Sequence, residues 1–179
     1  MKIEFGCGNK GLPEGWVGCD IRKLPSVRFV CNAWEIADLV PAGSVEEVAS
    51  RHMLEHLTFH DARRTLVAWH TILSEDGSGR VTVPDMSFHL RQWQEGRDDP
   101  REFAHALAGF WGWQKEADQG EVWDVHKSGY DERLLTEMLR AVGFRNVVRE
   151  DIGPAHLSLR FAKFCKFPLA QEGEAIKMP

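Results

Sequence analysis

The chain has 179 residues, a length that predicts one domain with a buried core. Hydrophobic residues make up 43% and charged residues 27% of the sequence, the balance of an ordinary globular domain. The formal net charge of −5 argues against a broad electrostatic attraction to nucleic acid or to anionic membranes. No apolar run reaches the roughly 18 residues of a membrane span, so neither nucleic acid nor membrane is an expected partner.

Four cysteines, at positions 7, 19, 31 and 165, are spread along the chain without a Cys-x-x-Cys pair. This spacing argues against a zinc ribbon and against a thioredoxin-type redox motif. The first residues enter a strand directly, without a basic and then apolar signal segment. We therefore expect a cytoplasmic protein with free thiols.

The first half of the chain alternates short apolar stretches with turn residues. This pattern predicts strands over residues 2–5, 16–20, 27–31, 45–50 and 79–83. A short helix is expected over 34–39 and a longer one over 61–73, where apolar residues recur at helical spacing. The acidic and glycine residues at 75–77 are expected to end the longer helix.

The second half predicts helices over 86–95 and 100–110, and then a segment rich in Gly, Trp and charge over 109–129. Asp131 is expected to cap a third helix that ends at Gly143. Strands follow over 146–152 and 157–164. We expect a single domain over 1–167, with a lid over the acceptor site within 86–130, and a flexible tail over 168–179.

Strands separated by helices predict an α/β fold with a Rossmann-like, mostly parallel sheet. The links before the second and third strands are too short for crossover helices, which need a dozen or more residues. The fold should therefore be trimmed of its early crossover helices, leaving one face of the sheet under-covered. We expect a second copy of the chain, in a homodimer, or the tryptophan-rich segment to cover that face.

Ligands of such sheets bind beyond the carboxyl ends of the strands. Gly6 and Gly8 follow the first strand and would let the backbone approach a ligand closely. The third glycine of a dinucleotide fingerprint is missing, which argues against a pyrophosphate ligand. The carboxylate of Asp20, at the end of the second strand, can accept hydrogen bonds from ribose hydroxyls. The amide of Asn32, after the third strand, can pair with an adenine edge, and the small Ala33 leaves room for the ring.

These elements occur in a fixed order: acid-x-Gly-x-Gly, then an acid, then Asn-Ala, then Ser-Arg-His-Met-Leu-Glu-His-Leu at 50–57. In this order the chain resembles the class I S-adenosylmethionine (SAM)-dependent methyltransferases. It is most similar to short methyltransferases associated with bacterial surface-polysaccharide synthesis. The similarity continues at 73–77, 81–85, 126–131 and 141–144.

The resemblance implies SAM as the cofactor and a set of residues around it. These residues are Glu4, Gly6, Cys7, Gly8, Asp20, Ile21, Asn32, Ala33, His52 and Met53. Asn32 stands where the family usually has Asp, so it keeps an acceptor but loses a charge. Asn9 and Lys10 stand where the family usually has further glycine.

The resemblance also implies a methyl acceptor, for which we expect O-methylation of a sugar or another small polar molecule. A hydroxyl acceptor must lose a proton, and histidine is suited to take it near neutral pH. His126 is our first candidate base and His56 our second, with Asp85 as an orienting group or alternative base. Trp111, Trp113 and Trp123 lie in the expected lid and could stack on a sugar ring.

Two other functions remain open. The first is a non-catalytic, SAM-binding or regulatory protein with the same fold. The second is a zinc-dependent hydrolase, because His52, Glu55 and His56 match the inverted zinc-peptidase pattern His-x-x-Glu-His. That pattern needs both histidines on one continuous helix, with Glu55 as the base. Since the preceding run predicts a strand, we assign no metal ligand.

Overall fold

The computed structural model describes residues 1–114 and 122–163. Within them, the strands are β1 (Lys2–Phe5), β2 (Trp16–Asp20), β3 (Val27–Val30), β4 (Val45–Arg51), β5 (Leu73–Pro84), β6 (Phe144–Glu150) and β7 (His156–Lys163). The α-helices are α1 (Phe59–Ile72), α2 (Met86–Glu95), α3 (Pro100–Trp111) and α4 (Glu132–Val142). Shorter 3₁₀ helices span Ala33–Asp38 and Leu54–His56. No helix of these described ranges is both long and apolar enough to cross a membrane.

The strands form one sheet in the order β3-β2-β1-β4-β5-β7-β6. The first five strands are mutually parallel, whereas β7 runs antiparallel to both of its neighbours. The expectation of an α/β, Rossmann-like and mostly parallel sheet is therefore confirmed. The strand order reverses between β1 and β4, which is the point where open α/β sheets form a ligand crevice.

The early crossover helices are absent, as the short links predict. Residues 6–15 between β1 and β2, and residues 21–26 between β2 and β3, contain turns and bends but no helix. The first helical segment after β3 is the six-residue 3₁₀ helix Ala33–Asp38, where we expected a helix over 34–39. The edge of the sheet at the carboxyl ends of β1 and β2 is thus built from loops rather than from helix termini.

One face of the sheet carries the hydrophobic core. The Phe5 ring of β1 lies 5.0 Å from Trp69 of α1, and Trp69 stacks on Phe161 of β7 at 6.4 Å. Phe161 in turn contacts Phe144 of β6 at 4.4 Å. The helices α1 and α4 and the 3₁₀ helix Ala33–Asp38 place their buried apolar residues in this core.

The opposite face of the sheet is charged. Lys2 lies opposite Glu47 and pairs with it at 2.9 Å, and Arg80 pairs with Glu150 at 2.6 Å. Arg160 lies within 3.8 Å of the same carboxylate. Cross-strand ion pairs of this kind are compatible with water, which explains how the face forms without an apolar cover. A homodimer over this face stays a prediction.

The boundary between α1 and β5 differs from our expectation. Thr58 caps α1 by accepting a hydrogen bond from the Asp61 amide at 3.1 Å, and the helix ends at Ile72. Residues 75–77 do not end a helix, because β5 already begins at Leu73, opposite Val45 of β4. The Glu-Asp-Gly sequence lies at a break in register, because the β4–β5 pairing passes from Val45 with Leu73 directly to Glu47 with Ser78.

Four other strands, β3, β4, β6 and β7, have different bounds from those expected. β3 ends at Val30 and β4 continues to Arg51. β6 begins at Phe144 because Gly143 caps α4 with a φ of 117°, a left-handed conformation that ends the helix abruptly. β7 ends at Lys163 within the described residues, so the expected tail over 168–179 lies outside them. The division into one domain and a tail stays a prediction.

Candidate active site

A cavity of about 250 Å³ opens at the carboxyl ends of β4 and β5. Glu55, Pro84 and Trp113 contribute to its wall together with backbone of α3. Its most frequent lining residue is histidine: His52, His56, His89, His105, His126 and His156. We expected His52, His56 and His126 at this edge from the sequence. The fold adds three further imidazoles, those of His89, His105 and His156.

His52 begins the site immediately after β4. Its backbone amide donates to the Thr82 carbonyl of β5 at 2.9 Å, which continues the sheet pairing by one residue. Its φ of 52° is left-handed, a conformation that few residues other than glycine adopt. Such strain concentrates at functional sites, where the surrounding contacts hold it. Here it turns the chain from the strand into the 3₁₀ helix that carries Glu55 and His56.

Two segments far apart in sequence are joined at this turn. The amides of Lys127 and Ser128 both donate to the Glu55 carbonyl, at 2.8 Å and 3.1 Å. The Nδ1 atom of His56 lies 3.2 Å from the Val125 carbonyl. As a result, the rings of His56 and His126 stand edge to face with their centroids 5.0 Å apart.

His126 is held in one orientation. Its Nδ1 atom lies 3.0 Å from the Gly109 carbonyl of α3, which can only accept, so Nδ1 carries the hydrogen and Nε2 keeps a lone pair. Burial lowers the pKa of His126, against the opposing charge of Glu55. The neutral ring at pH 7 can therefore accept a proton or bind a cation.

Glu55 is a functional candidate because its carboxylate is buried among polar groups, which could not be predicted from the sequence. Its side chain is 1% exposed. One carboxylate oxygen, Oε1, lies 3.1 Å from Nδ1 of His52, while Oε2 is buried without a hydrogen-bond partner. The feature of the sequence that pointed to Glu55 was its position between two histidines in the pattern His-x-x-Glu-His.

The inverted zinc-peptidase hypothesis is wrong in its geometry. It requires His52 and His56 on one face of a continuous helix. His52 instead lies outside the three-residue 3₁₀ helix Leu54–His56, and its Nδ1 contacts Glu55.

The pair α2–α3, which we call the helical roof, covers the cavity. Asp85 caps α2 by accepting from the amides of Ser87 at 2.9 Å and Phe88 at 3.3 Å. Its other carboxylate oxygen accepts from Arg149 at 2.8 Å. These contacts fix where the roof begins, whereas an orienting role of Asp85 in catalysis stays a prediction. A role as the base stays a prediction.

Gly109 lets the two roof helices approach. A Cβ atom at this position would overlap the ring of His89 on α2. We expect Gly109→Ala to destabilise the protein by about 1–3 kcal/mol, because overpacking exceeds the gain in helix propensity. Urea unfolding followed by circular dichroism measures this change. An increase in stability would show that the roof helices are not packed as described.

A buried histidine, His89, and a partly buried one, His70, predict sensitivity to acid. Burial lowers the pKa values of His70 and His89 from 6.5. In the unfolded chain these groups take up protons near pH 6.5, whereas the folded protein takes them up only at lower pH. The free energy of unfolding should therefore be fully retained above about pH 6.5 and decrease as the pH falls below it. His70→Gln should reduce this dependence in urea titrations at about pH 7.5 and 5.5, and an unchanged dependence would contradict the prediction.

Four of the expected cofactor residues, Gly6, Gly8, Asp20 and Met53, lie together near the ends of β1 and β2. Gly6 and Gly8 both have left-handed backbone, with φ values of 65° and 58°. The Gly8 amide donates to Oδ2 of Asp20 at 2.9 Å, so the loop after β1 is fixed to the end of β2. Met53 packs directly against Gly6, where a side chain would collide with it.

Asp20 is buried and ionised. Burial works against its charge, but hydrogen bonds from Arg22 and from the Gly8 amide outweigh burial and hold the pKa of Asp20 below its usual value. The Arg22 guanidinium lies over the carboxylate, 3.1 Å from Nε to Oδ1. A ribose can reach the carboxylate only if the half-exposed Arg22 side chain moves aside, and the role of Asp20 toward a cofactor stays a prediction.

The remaining expected cofactor residues have mostly local contacts. The backbone and side-chain nitrogens of Asn32 both donate to Oε2 of Glu35, each at 3.1 Å. Ala33 is buried beside it, and Ile21 is half exposed. Their roles toward a cofactor stay predictions.

Glu4 and Cys7 differ in position. Glu4 lies between Gly18 and Ala49 on the charged face of the sheet. Cys7 is buried, and burial raises the pKa of its thiol. Both roles in cofactor binding also stay predictions.

Among the tryptophans of the expected lid, Trp113 lines the cavity and contacts the His105 ring at 6.4 Å. Trp111 and Trp123 are about half exposed. Residues 115–121 of the same segment lie outside the described residues.

No family model matches the chain, and no curated protein matches it significantly in sequence. Solved structures do resemble it. A SAM-dependent methyltransferase from Archaeoglobus fulgidus has a TM-score of 0.60 and 16% identity, over 90% of this chain and 85% of that one. A 1,6-didemethyltoxoflavin-N1-methyltransferase from Burkholderia thailandensis, solved with S-adenosylhomocysteine, has a TM-score of 0.56 and 16% identity, over 92% and 71%.

An O-methyltransferase family protein from Burkholderia thailandensis gives a TM-score of 0.56 at 14% identity, over 93% of this chain. This chain spans about half of that protein, 51%. At such low identity the likeness concerns architecture. The sheet order, the antiparallel β7 and these neighbours together show that the chain has the fold of the class I SAM-dependent methyltransferases.

Proposed function

We propose that the protein is a SAM-dependent methyltransferase that methylates an oxygen of a small polar acceptor, such as a sugar. The observation that carries this proposal is the histidine-lined cavity at the carboxyl ends of β4 and β5, beside the point where the strand order reverses. The fold supports the cofactor class, and the cavity supports an acceptor that exchanges a proton.

The loop Gly6–Gly8 and the Asp20 carboxylate would hold the cofactor on one side of the crevice, with His52 and Met53 beneath it. When bound, SAM supplies a methyl group that can be displaced from a positively charged sulfonium. Glu4, Cys7, Ile21, Asn32 and Ala33 complete the proposed set at the rim. The main task of the chain is then to align the acceptor and to exclude water.

A hydroxyl acceptor in the cavity would lose its proton to an imidazole nitrogen. Nε2 of His126 and Nε2 of His56 are suited to this step, because their Nδ1 atoms are engaged with carbonyl groups. Asp85 acts indirectly by fixing the start of α2. The helical roof and Trp113 would exclude water, and the indole offers a flat surface for a sugar ring.

A non-catalytic, SAM-binding regulator is the second candidate. The Arg22 guanidinium covers the carboxylate expected to hold the ribose, which bears on cofactor binding in both candidates and does not separate them. The absence of the early crossover helices is compatible with either function.

Calorimetric titration with SAM and with S-adenosylhomocysteine tests cofactor binding directly. Incubation with methyl-labelled SAM and a panel of sugars, phenols and carboxylic acids, followed by mass spectrometry, then tests transfer. Labelled acceptor supports the proposed enzyme. Binding without transfer to any class of acceptor favours the regulator, and the absence of binding contradicts both.

A cytoplasmic location belongs to the same proposal. It is supported by the three described cysteines, Cys7, Cys19 and Cys31, which are free thiols.

A further inference from the structure

Three side chains converge at the junction between the turn after β4 and residues 125–128. Glu55, His56 and His126 each offer one ligand atom, and these atoms lie within 4.8 Å of one another. Small side-chain rotations would let all three atoms contact one zinc ion placed between them, at the metal–ligand distances of roughly 2.0–2.2 Å that are usual for nitrogen and carboxylate oxygen. The cluster therefore has the size of a mononuclear metal centre.

Both imidazoles are oriented as metal ligands usually are. A histidine that binds a metal commonly donates its other ring N–H to a backbone carbonyl or a carboxylate, which fixes the tautomer and the ring orientation. Nδ1 of His56 contacts the Val125 carbonyl, and Nδ1 of His126 contacts the Gly109 carbonyl. The nitrogen left for a cation is Nε2 in each ring.

The carboxylate supplies an independent observation. Oε2 of Glu55 is buried without a hydrogen-bond partner in a side chain that is 1% exposed. Buried polar atoms normally have a hydrogen-bond partner or bind a metal, so this oxygen lacks the partner that its burial requires. His52 holds the other oxygen at 3.1 Å and thereby orients the carboxylate.

We propose that Glu55, His56 and His126 bind one divalent transition-metal cation at the floor of the cavity. Three protein ligands leave coordination positions for water or an acceptor oxygen, which is typical of catalytic rather than structural sites. Two imidazoles and one carboxylate suit Zn²⁺, Mn²⁺ or Fe²⁺, whereas Mg²⁺ and Ca²⁺ prefer all-oxygen sites.

The site has a consequence for the reaction, and this part rests on the proposed methyl transfer. A cation that binds the acceptor hydroxyl lowers the pKa of that hydroxyl. His56 and His126 would then act as ligands, the proton of the acceptor hydroxyl would pass to solvent water, and the acceptor oxygen would take the methyl group as S-adenosylhomocysteine leaves. The cation would thus take over most of the work assigned above to a histidine base. The binding of the cation itself does not depend on methyl transfer.

The test uses the full chain after treatment with a chelator, without SAM. Titration with ZnCl₂, MnCl₂ and MgCl₂ by calorimetry should show one site for Zn²⁺ or Mn²⁺ and much weaker binding of Mg²⁺. Glu55→Gln keeps the size of the side chain and should weaken binding by at least about 100-fold, because loss of an outer-shell partner alone costs about 10–100-fold. His52→Ala should fall in that smaller range.

Matched control variants distinguish metal binding at Glu55, His56 and His126 from weak metal binding by other histidines of the protein. His105→Ala removes another cavity imidazole, and His60→Ala removes an exposed one on α1, so both should keep the wild-type affinity. Circular dichroism and thermal unfolding of each variant show whether it is folded. Binding of Co²⁺ should give visible d–d absorption in the wild type and in His105→Ala, but not in Glu55→Gln.

The inference is overturned by equal metal affinity of the wild type and folded Glu55→Gln, by an equal loss in His105→Ala, or by the absence of a transition-metal site. A second observable keeps the two proposals apart. If Zn²⁺ binds at the cluster and SAM does not bind, the proposed function fails and the site stands. If chelated protein transfers methyl groups at an unchanged rate and binds no cation, the site fails and the function stands.

Discussion

Replacing His126 by asparagine is expected to lower kcat by about 10²–10⁴-fold, the usual contribution of a positioned acid–base group. The amide of the introduced side chain can still donate to the Gly109 carbonyl, so the variant keeps the loop contact and loses only Nε2. The Kd for SAM should stay unchanged, because Gly6, Gly8 and Asp20 lie outside the cavity that His126 lines. Initial rates at saturating SAM, with calorimetry for Kd, measure the two effects separately.

His60→Ala is the matched control, since this exposed histidine of α1 lies outside the cavity. Its kcat should equal that of the wild type. An unchanged kcat in His126→Asn would discard His126 as base and as ligand alike. The pH dependence of kcat in the wild type, with and without bound Zn²⁺, then distinguishes the two roles, because a cation shifts the apparent pKa of the acceptor hydroxyl.

Asp20→Asn is expected to weaken SAM binding by roughly 100-fold. Hydrogen bonds to a charged acceptor contribute about 1.5–3 kcal/mol each, and the substitution removes the charge while keeping the shape. The carboxylate is well ionised, because Arg22 and the Gly8 amide hold its pKa low despite burial. Calorimetric titration of both proteins with SAM measures the difference.

Asp38→Asn is the corresponding control, because Asp38 is an exposed acid at the end of the 3₁₀ helix Ala33–Asp38. Its Kd for SAM should equal the wild-type value. Arg22→Ala should bind SAM more tightly, since its guanidinium must leave the Asp20 carboxylate before a ribose can reach it. Equal affinity of wild type and folded Asp20→Asn would exclude Asp20 from the cofactor site.

Much of the architecture could be predicted from the sequence, because strand and helix periodicity are local properties. The parallel strands β1 to β5, the short links without helices and the capping role of Asp131 follow from neighbouring residues alone. The residues at which helices and strands begin and end were harder to predict from the sequence. The turn signal at 75–77 lies inside β5, at a break in its pairing register with β4 between Leu73 and Ser78, so the strand continues past a locally irregular segment.

The candidate site could be predicted in part. Residues that directly follow a strand, such as Gly6, Gly8 and His52, could be assigned to the rim because parallel strands end at one edge. The contact of the Arg22 guanidinium with the Asp20 carboxylate could not be predicted, since no sequence pattern distinguishes Arg22 from other arginines. His89, His105 and His156 were not expected in the cavity, because helix packing and an antiparallel strand bring them there.

The sequence by itself thus determined the sheet, its trimmed crossovers and the glycine loop of Glu4-Phe5-Gly6-Cys7-Gly8. Only the tertiary structure decided that Glu55 and His56 meet His126, which lies 70 positions beyond His56 in the chain. The physical reason is that backbone hydrogen bonds from residues 127 and 128 to the Glu55 carbonyl join two loops with no local pattern in common. Those bonds turn a weak His-x-x-Glu-His motif into a buried cluster of two oriented imidazoles and one unpaired carboxylate oxygen.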